Sequence, residues 1–149
     1  MSPRKSALRE YRDVGASTRV MSADPHTLIL MLMDGALDAM AAAKGHVQRG
    51  AIEDKGRSLA RAIAIIDGLR ASLDRSASPD LSDNLDDLYD YMSRRLLHAN
   101  LKNDVTIIDE VHGLLADLRG AWVAIGEKVE QPPVAAPSAM PKTPTLASA

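Results

Sequence analysis

Four stretches of helical apolar spacing follow one another with only short breaks between them, and that succession limits the fold more than any other feature of the chain. The cleanest lies at about 79–101, where Leu81, Leu85, Leu88, Tyr89, Met92, Leu96 and Ala99 keep the three-four spacing of one helix face. Another begins at Asp24-Pro25, a capping carboxylate followed by a proline whose missing N–H costs nothing in a first turn, and is predicted to run to about Lys44. A third covers about 52–73, with Ile52, Leu59, Ile63, Ile66 and Leu73 on a stripe after the Gly50 turn. The last follows Asn103-Asp104 and runs to about Val129, with Ile107, Ile108, Val111, Leu114, Leu115, Leu118, Trp122 and Ile125 on one arc. Helices of about 20 residues joined by about two to eight residues must run antiparallel to their chain neighbours. The expected fold is therefore all-α, an antiparallel up-down four-helix bundle.

A bundle of this kind occupies 23–130, with an N-terminal arm at 1–22 and a tail at 131–149. Five of the eight prolines fall between Pro132 and Pro144 among Ala, Ser and Thr, a composition that cannot bury enough apolar surface to order itself. The tail is read as disordered. The arm is basic, with five basic and two acidic side chains in the first twenty residues, whereas 21–130 hold twelve basic and eighteen acidic ones. The net charge of −2 gives no reason to expect nucleic acid as a partner. The chain has no cysteine, which excludes disulfides and thiolate chemistry and fits a reducing compartment, the cytoplasm. Asp34 and Asp38 interrupt the longest apolar run, so no membrane insertion is expected.

The first helix holds more apolar surface than one packed face uses. At 100° per residue, Leu28, Ile29, Leu32, Ala36, Ala39 and Met40 share an arc expected to face the core, with Met31 at its edge. Leu30, Met33 and Leu37 lie about 140–200° from Leu28. These three are the candidate binding residues. Tyr91 and Leu97 join them because both lie off the core stripe of the third helix. In the arm, Leu8 and Tyr11 are spaced as one helical face and suggest a lid that docks on the bundle.

Catalytic and metal chemistry have no residues to carry them. His26, His46, His98 and His112 are dispersed, without a His-x-x-x-His pair or a Glu-x-x-His ladder, and no phosphate loop or nucleophile elbow occurs. No cofactor, metal site or enzymatic activity is expected. One alternative is a histidine phosphotransfer bundle using His98, which the phase of its helix turns to solvent; another is a bundle that assembles only with itself. The aspartates at 83, 86, 87 and 90 read as a solvated face.

Several strings in this order resemble the FliS family of flagellin export chaperones. Leu8 and Tyr11 are similar to the family's apolar-x-x-Tyr arm signature. Ala23-Asp-Pro25, Leu28-Ile29 and Met31-Leu-Met-Asp-Gly-Ala-Leu37 resemble its first helix. Asn84-Leu85, Leu88-Tyr89-Asp-Tyr91-Met92 and Leu96-Leu-x-Ala99-Asn100 resemble its third. Asp104, Glu110-Val111, Leu114-Leu115 and Leu118-Arg119-x-x-Trp122 resemble its fourth. Two positions depart from the pattern: Met33 stands where an aromatic is common, and Ser78-Pro-Asp-Leu81 replaces a Gly-rich approach to the third helix. The resemblance implies a cytoplasmic bundle that binds the disordered C-terminal segment of flagellin, prevents premature polymerisation and delivers the subunit to a component of the flagellar type III export gate. It also implies a lid or docking role for Leu8 and Tyr11. A homodimer stays open.

Overall fold

A computed structural model of the chain describes residues 24–76 and 78–130, with side chains as far as Gly126. The arm, with Leu8 and Tyr11, and the tail lie outside the described residues. Among the described residues there are four helices and no strand: α1 (Pro25–Gln48), α2 (Ile52–Ala71), α3 (Pro79–Lys102) and α4 (Val105–Glu130). The fold is all-α, a four-helix bundle. Its described residues fall into two compact units that divide within α4, after Ala116.

The first unit contains α1, α2, α3 and the first turns of α4. Asp24 caps α1 as its sequence predicts, accepting the Thr27 N–H at 2.7 Å with Pro25 in the first turn. The helix continues four residues past Lys44 and ends at Gln48, because Gly45 interrupts nothing and the stop is made at Gly50. There the backbone takes φ +73°, the Ala51 N–H returns to the His46 carbonyl at 2.8 Å, and the Gly50 N–H returns to Val47 at 3.1 Å. These two bonds form a Schellman turn, which needs a residue free to adopt a left-handed backbone.

The turn sends α2 back along α1. Met33, Ala36, Ala39, Met40 and Ala43 form the buried face of α1 and Leu59, Ala62, Ile66 and Leu69 that of α2. A β-carbon placed on Gly35 would come within 3.3 Å of the Ile65 Cδ1 atom, so small residues let the two helices approach closely. The predicted α2 stripe is partly redrawn. Ala62 and Leu69 enter the core, Ile63 and Leu73 are half-buried, and Ile52, in the first turn, is 49% exposed.

α3 runs antiparallel to α2, and the two ends of the pair are tied by polar contacts. At one end Arg70 grips Asp86 through two nitrogens, at 2.6 and 3.2 Å. At the other, Lys55, buried at 4% exposure, donates to the Asn100 carbonyl at 2.9 Å and to the Asn103 Oδ1 atom at 2.5 Å. Asn103 sits at φ 52° and ends α3, while the Asp104 N–H returns to Ala99 at 3.1 Å. The N–H of Asn103 also goes to Ala99, so the Asn100 carbonyl is left for Lys55. Asp104 then caps α4, accepting from Thr106 and Ile107. Sequence assigns both Asn103 and Asp104 to the start of α4; the structure gives Asn103 to the end of α3. Leu81, expected in the core, is exposed in the first turn of α3. Its neighbour Ser82 is buried there and donates to the Asp74 carbonyl at 2.7 Å.

On α4 the predicted arc is buried at Ile107, Ile108, Val111 and Leu115. The second unit starts at Asp117 and contains the remainder of the α4 helix, where Ile125 is 49% exposed rather than covered.

Gly50→Ala has room for its methyl group yet must hold a left-handed backbone, so it is expected to lower unfolding free energy by about 1–2 kcal/mol. Asn103→Ala combines a similar backbone cost with loss of an acceptor for the buried Lys55 ammonium, roughly 1–3 kcal/mol more. Urea denaturation of the two variants should rank them in that order.

Candidate binding face

Five consecutive large apolar residues on α1, Leu28 to Leu32, are all only partly buried, and Leu37 is as well. By contrast Met33 is 1% exposed and belongs among the largest fully buried side chains. Sequence phase puts Met33 on an outer flank with Leu30 and Leu37, and the structure corrects that placement. The buried arc of α1 is turned toward Met33, which shares it with Met40, seven residues on and in nearly the same direction.

Ile29, like Leu32, falls within the same arc by phase, so direction alone does not explain the exposure of Ile29. Register does. The approach of Gly35 to Ile65 in an antiparallel pair places Ile29 opposite Ala71, the last residue of α2. The N-terminal turns of α1 therefore have little of α2 beside them. Leu30 and Leu37, seven residues apart, lie on one side of the helix and keep apolar surface open.

On α3, Tyr91 is 42% exposed and Leu97 53%, both on the surface as their phase predicts. Sequence reasoning missed Leu101, which is 80% exposed and follows Leu97 by one helical turn. The spacing of four residues from Leu97 is the signal that could have found it. Tyr91 donates its hydroxyl to Glu110 on α4, and Arg95 donates to the same carboxylate at 3.0 Å. The Tyr91 hydrogen bond, with Arg95 helping, holds the Glu110 carboxyl below its ordinary range. The hydrogen bond to Glu110, with partial burial and the negative charge of Glu110, in turn makes the Tyr91 hydroxyl harder to ionise.

His98 is exposed on the last turns of α3, four residues from its end. Among the described residues no group of three or more metal-ligating side chains comes together. α1 is long and apolar enough to cross a bilayer by length and composition. It nevertheless carries Asp34 and Asp38 and supplies five residues to the core, and the core helix of a bundle meets the same criterion.

What these features define is a helical bundle that keeps partly exposed apolar residues on α1 and exposed ones on α3. Residues 7–129 match the family described as "Flagellar protein FliS". The chain is 47% identical over 124 residues to the flagellar secretion chaperone FliS of Salmonella typhimurium, covering 83% of this chain and 92% of that one. Its identity to the flagellar secretion chaperone FliSB of Pseudomonas aeruginosa is 42% over 119 residues, 80% and 94% of the two chains. A solved structure titled "Crystal structure of flagellar chaperone from bacteria" superposes with a TM-score of 0.67 at 21% identity, over 78% of this chain and 98% of that one, and so agrees in fold. The chain belongs to the FliS family of flagellar secretion chaperones. Members of that family are chaperones and not enzymes, and this chain is a flagellar export chaperone.

A separate polar cluster fastens α3 to α2. Asp86 accepts from Arg70 and, at 2.9 Å, from Arg75, while Asp90 lies 3.3 Å from Arg70 and also pairs with Arg94. The hydrogen bonds from Arg70 and then Arg75 hold the Asp86 carboxyl at about 2, below the usual 3.8. A carboxyl depressed in the folded state stabilises the fold above its unfolded pKa, and that contribution is lost as pH falls from about 4 through about 2. Asp86→Asn should flatten that part of the curve of thermal midpoint against pH and leave the slope elsewhere unchanged.

Proposed function

We propose that this chain is a flagellin-specific export chaperone. In the cytoplasm it binds the disordered C-terminal segment of flagellin, prevents its premature polymerisation and supports its delivery to the flagellar type III export apparatus, through a component of the export gate. The observation that carries the reading is the only partly buried run Leu28–Leu32 on a helix whose other residues already complete a core. A flagellin end that self-associates through apolar helical faces is neutralised by an equivalent apolar face, the helix-in-groove mode of recognition.

Leu30 and Leu37 contribute this surface from α1, and Tyr91 and Leu97 contribute from α3. Met33 supports it from inside the core instead of touching the partner. Leu8 and Tyr11 act as a lid or docking element supplied by the arm. Ordering a disordered segment costs about 2–5 kcal/mol, so several anchors have to act together. Family membership supports the export role, and the apolar faces support an amphipathic, helix-forming partner.

Calorimetric titration with a C-terminal flagellin segment, with its helix content followed by circular dichroism, tests the reading. Binding is expected to raise the helix content of the segment. Each of Leu30→Asp and Leu37→Asp should weaken it by roughly tenfold or more, the scale of one buried Leu side chain. His98→Gln should bind as the unaltered chain does. Absence of binding and of helix gain would remove the proposal; loss of function on His98→Gln with Leu37→Asp unaffected would favour phosphotransfer.

A further inference from the structure

Tyr91 begins a basic ridge on α3. Arg95, His98 and Lys102 follow it at four, seven and eleven residues, spacings that return to the same side of a helix. The N-terminal half of α3 is the opposite in charge, with Asp80, Asp83, Asp86, Asp87 and Asp90. The exposed apolar residues Leu97 and Leu101 thus lie in the basic half. Within it, the Arg95 guanidinium donates through Nε to the Glu110 Oε1 atom at 3.0 Å, while the Glu110 Oε2 atom accepts from Tyr91. The side chains of Arg95 and Glu110 are each 35% exposed, so water and a partner can reach them.

A guanidinium fixed through Nε keeps the fork of its terminal nitrogens in a set plane, the arrangement that receives a carboxylate through two parallel hydrogen bonds. We infer that Arg95, oriented by Glu110 and flanked by the exposed ring of Tyr91, is a carboxylate anchor that takes the C-terminal α-carboxylate of the bound flagellin segment. The inference rests on the flagellin reading above and specifies the chemistry at one end of that site. A helical segment ending at this place brings its α-carboxylate together with the negative end of its helix dipole, and both are attracted to the ridge. An internal acidic side chain brings no such addition. The acidic N-terminal half of α3 repels the same group, so the charge pattern also sets the direction in which the segment lies. Leu97 and Leu101 receive apolar side chains close to its end.

The test compares the flagellin C-terminal segment as a free acid and as a C-terminal amide, by calorimetry with the full chain at low and high salt. The acid should bind about tenfold more tightly than the amide, the scale of one hydrogen bond to a charged group. High salt should narrow that gap. Arg95→Gln should abolish the difference while leaving affinity for the amide unchanged, and Arg95→Lys should restore part of it. Glu110→Gln, which leaves Arg95 its charge and loosens its orientation, should reduce the preference without removing it. Melting curves confirm that the variants fold, and the acid-to-amide ratio within each variant is insensitive to a general loss of stability. Equal binding of acid and amide by the unaltered chain overturns the inference and leaves the flagellin reading standing. A fall in affinity for both forms alike on Arg95→Gln assigns Arg95 to an acidic side chain of the partner instead and equally overturns it. Failure of both forms to bind overturns the flagellin reading and the anchor with it.

Discussion

The close approach of α1 to α2 is the constraint on which the rest of the bundle depends. Gly35 lies against Ile65, and Ala36, Ala39, Ala43 and Ala62 line the buried faces of the pair, with Met33 and Met40 filling the larger spaces. Small side chains at a helix interface let backbones come near, and packing at that separation admits few bulky residues. The consequence is visible one or two turns away. The leucines and isoleucine at the start of α1 are left over, partly exposed, in a chain that has no shortage of buried apolar surface elsewhere.

Polar contacts complete what apolar packing begins. Apolar burial has no direction and permits α3 to slide along α2, whereas Arg70 on Asp86 at one end and Lys55 on Asn100 and Asn103 at the other fix both the register and the exit of the chain into α4. Lys55 does this at the least expected place. A lysine is seldom fully buried, and here the carbonyl left open by the Asn103 turn and the Asn103 side chain give its ammonium the partners that burial requires. The α3–α4 connection it steadies lies close in the chain to Arg95 and Glu110.

An export chaperone has to be stable while displaying surface that would ordinarily be covered, and the chain separates the two demands. Stability resides in the faces of α1, α2 and α3 that run through Met40, Leu59, Ile66, Met92 and Leu96. Display falls to residues on the edges of those faces and beyond the reach of the neighbouring helix. Substitution at an edge position such as Leu37 or Leu97 opens no buried cavity and costs the fold little.

Local signals written along the chain were enough for the four helices and most of their ends. Asp24-Pro25, Gly50 and Asp104 each act on the backbone within a few residues, and the structure uses all three. Periodicity also placed Tyr91 and Leu97 on the surface and Ala36, Ala39 and Met40 in the core. It failed at Met33, because a helical wheel gives the relative directions of side chains and not which direction meets another helix. It failed at Ile29 as well, where direction was right but α2 ends alongside, and at Leu81 and Ile52, where position near a helix end outweighs phase. Lys55 carried no signal at all, since its partners lie forty-five and forty-eight residues away. The amino-acid sequence by itself determined the helices, their order and the surplus of apolar surface, all of which follow from neighbours in the chain. Only the tertiary structure decided which part of that surplus is buried, because burial depends on the register and length of helices that meet from distant parts of the sequence.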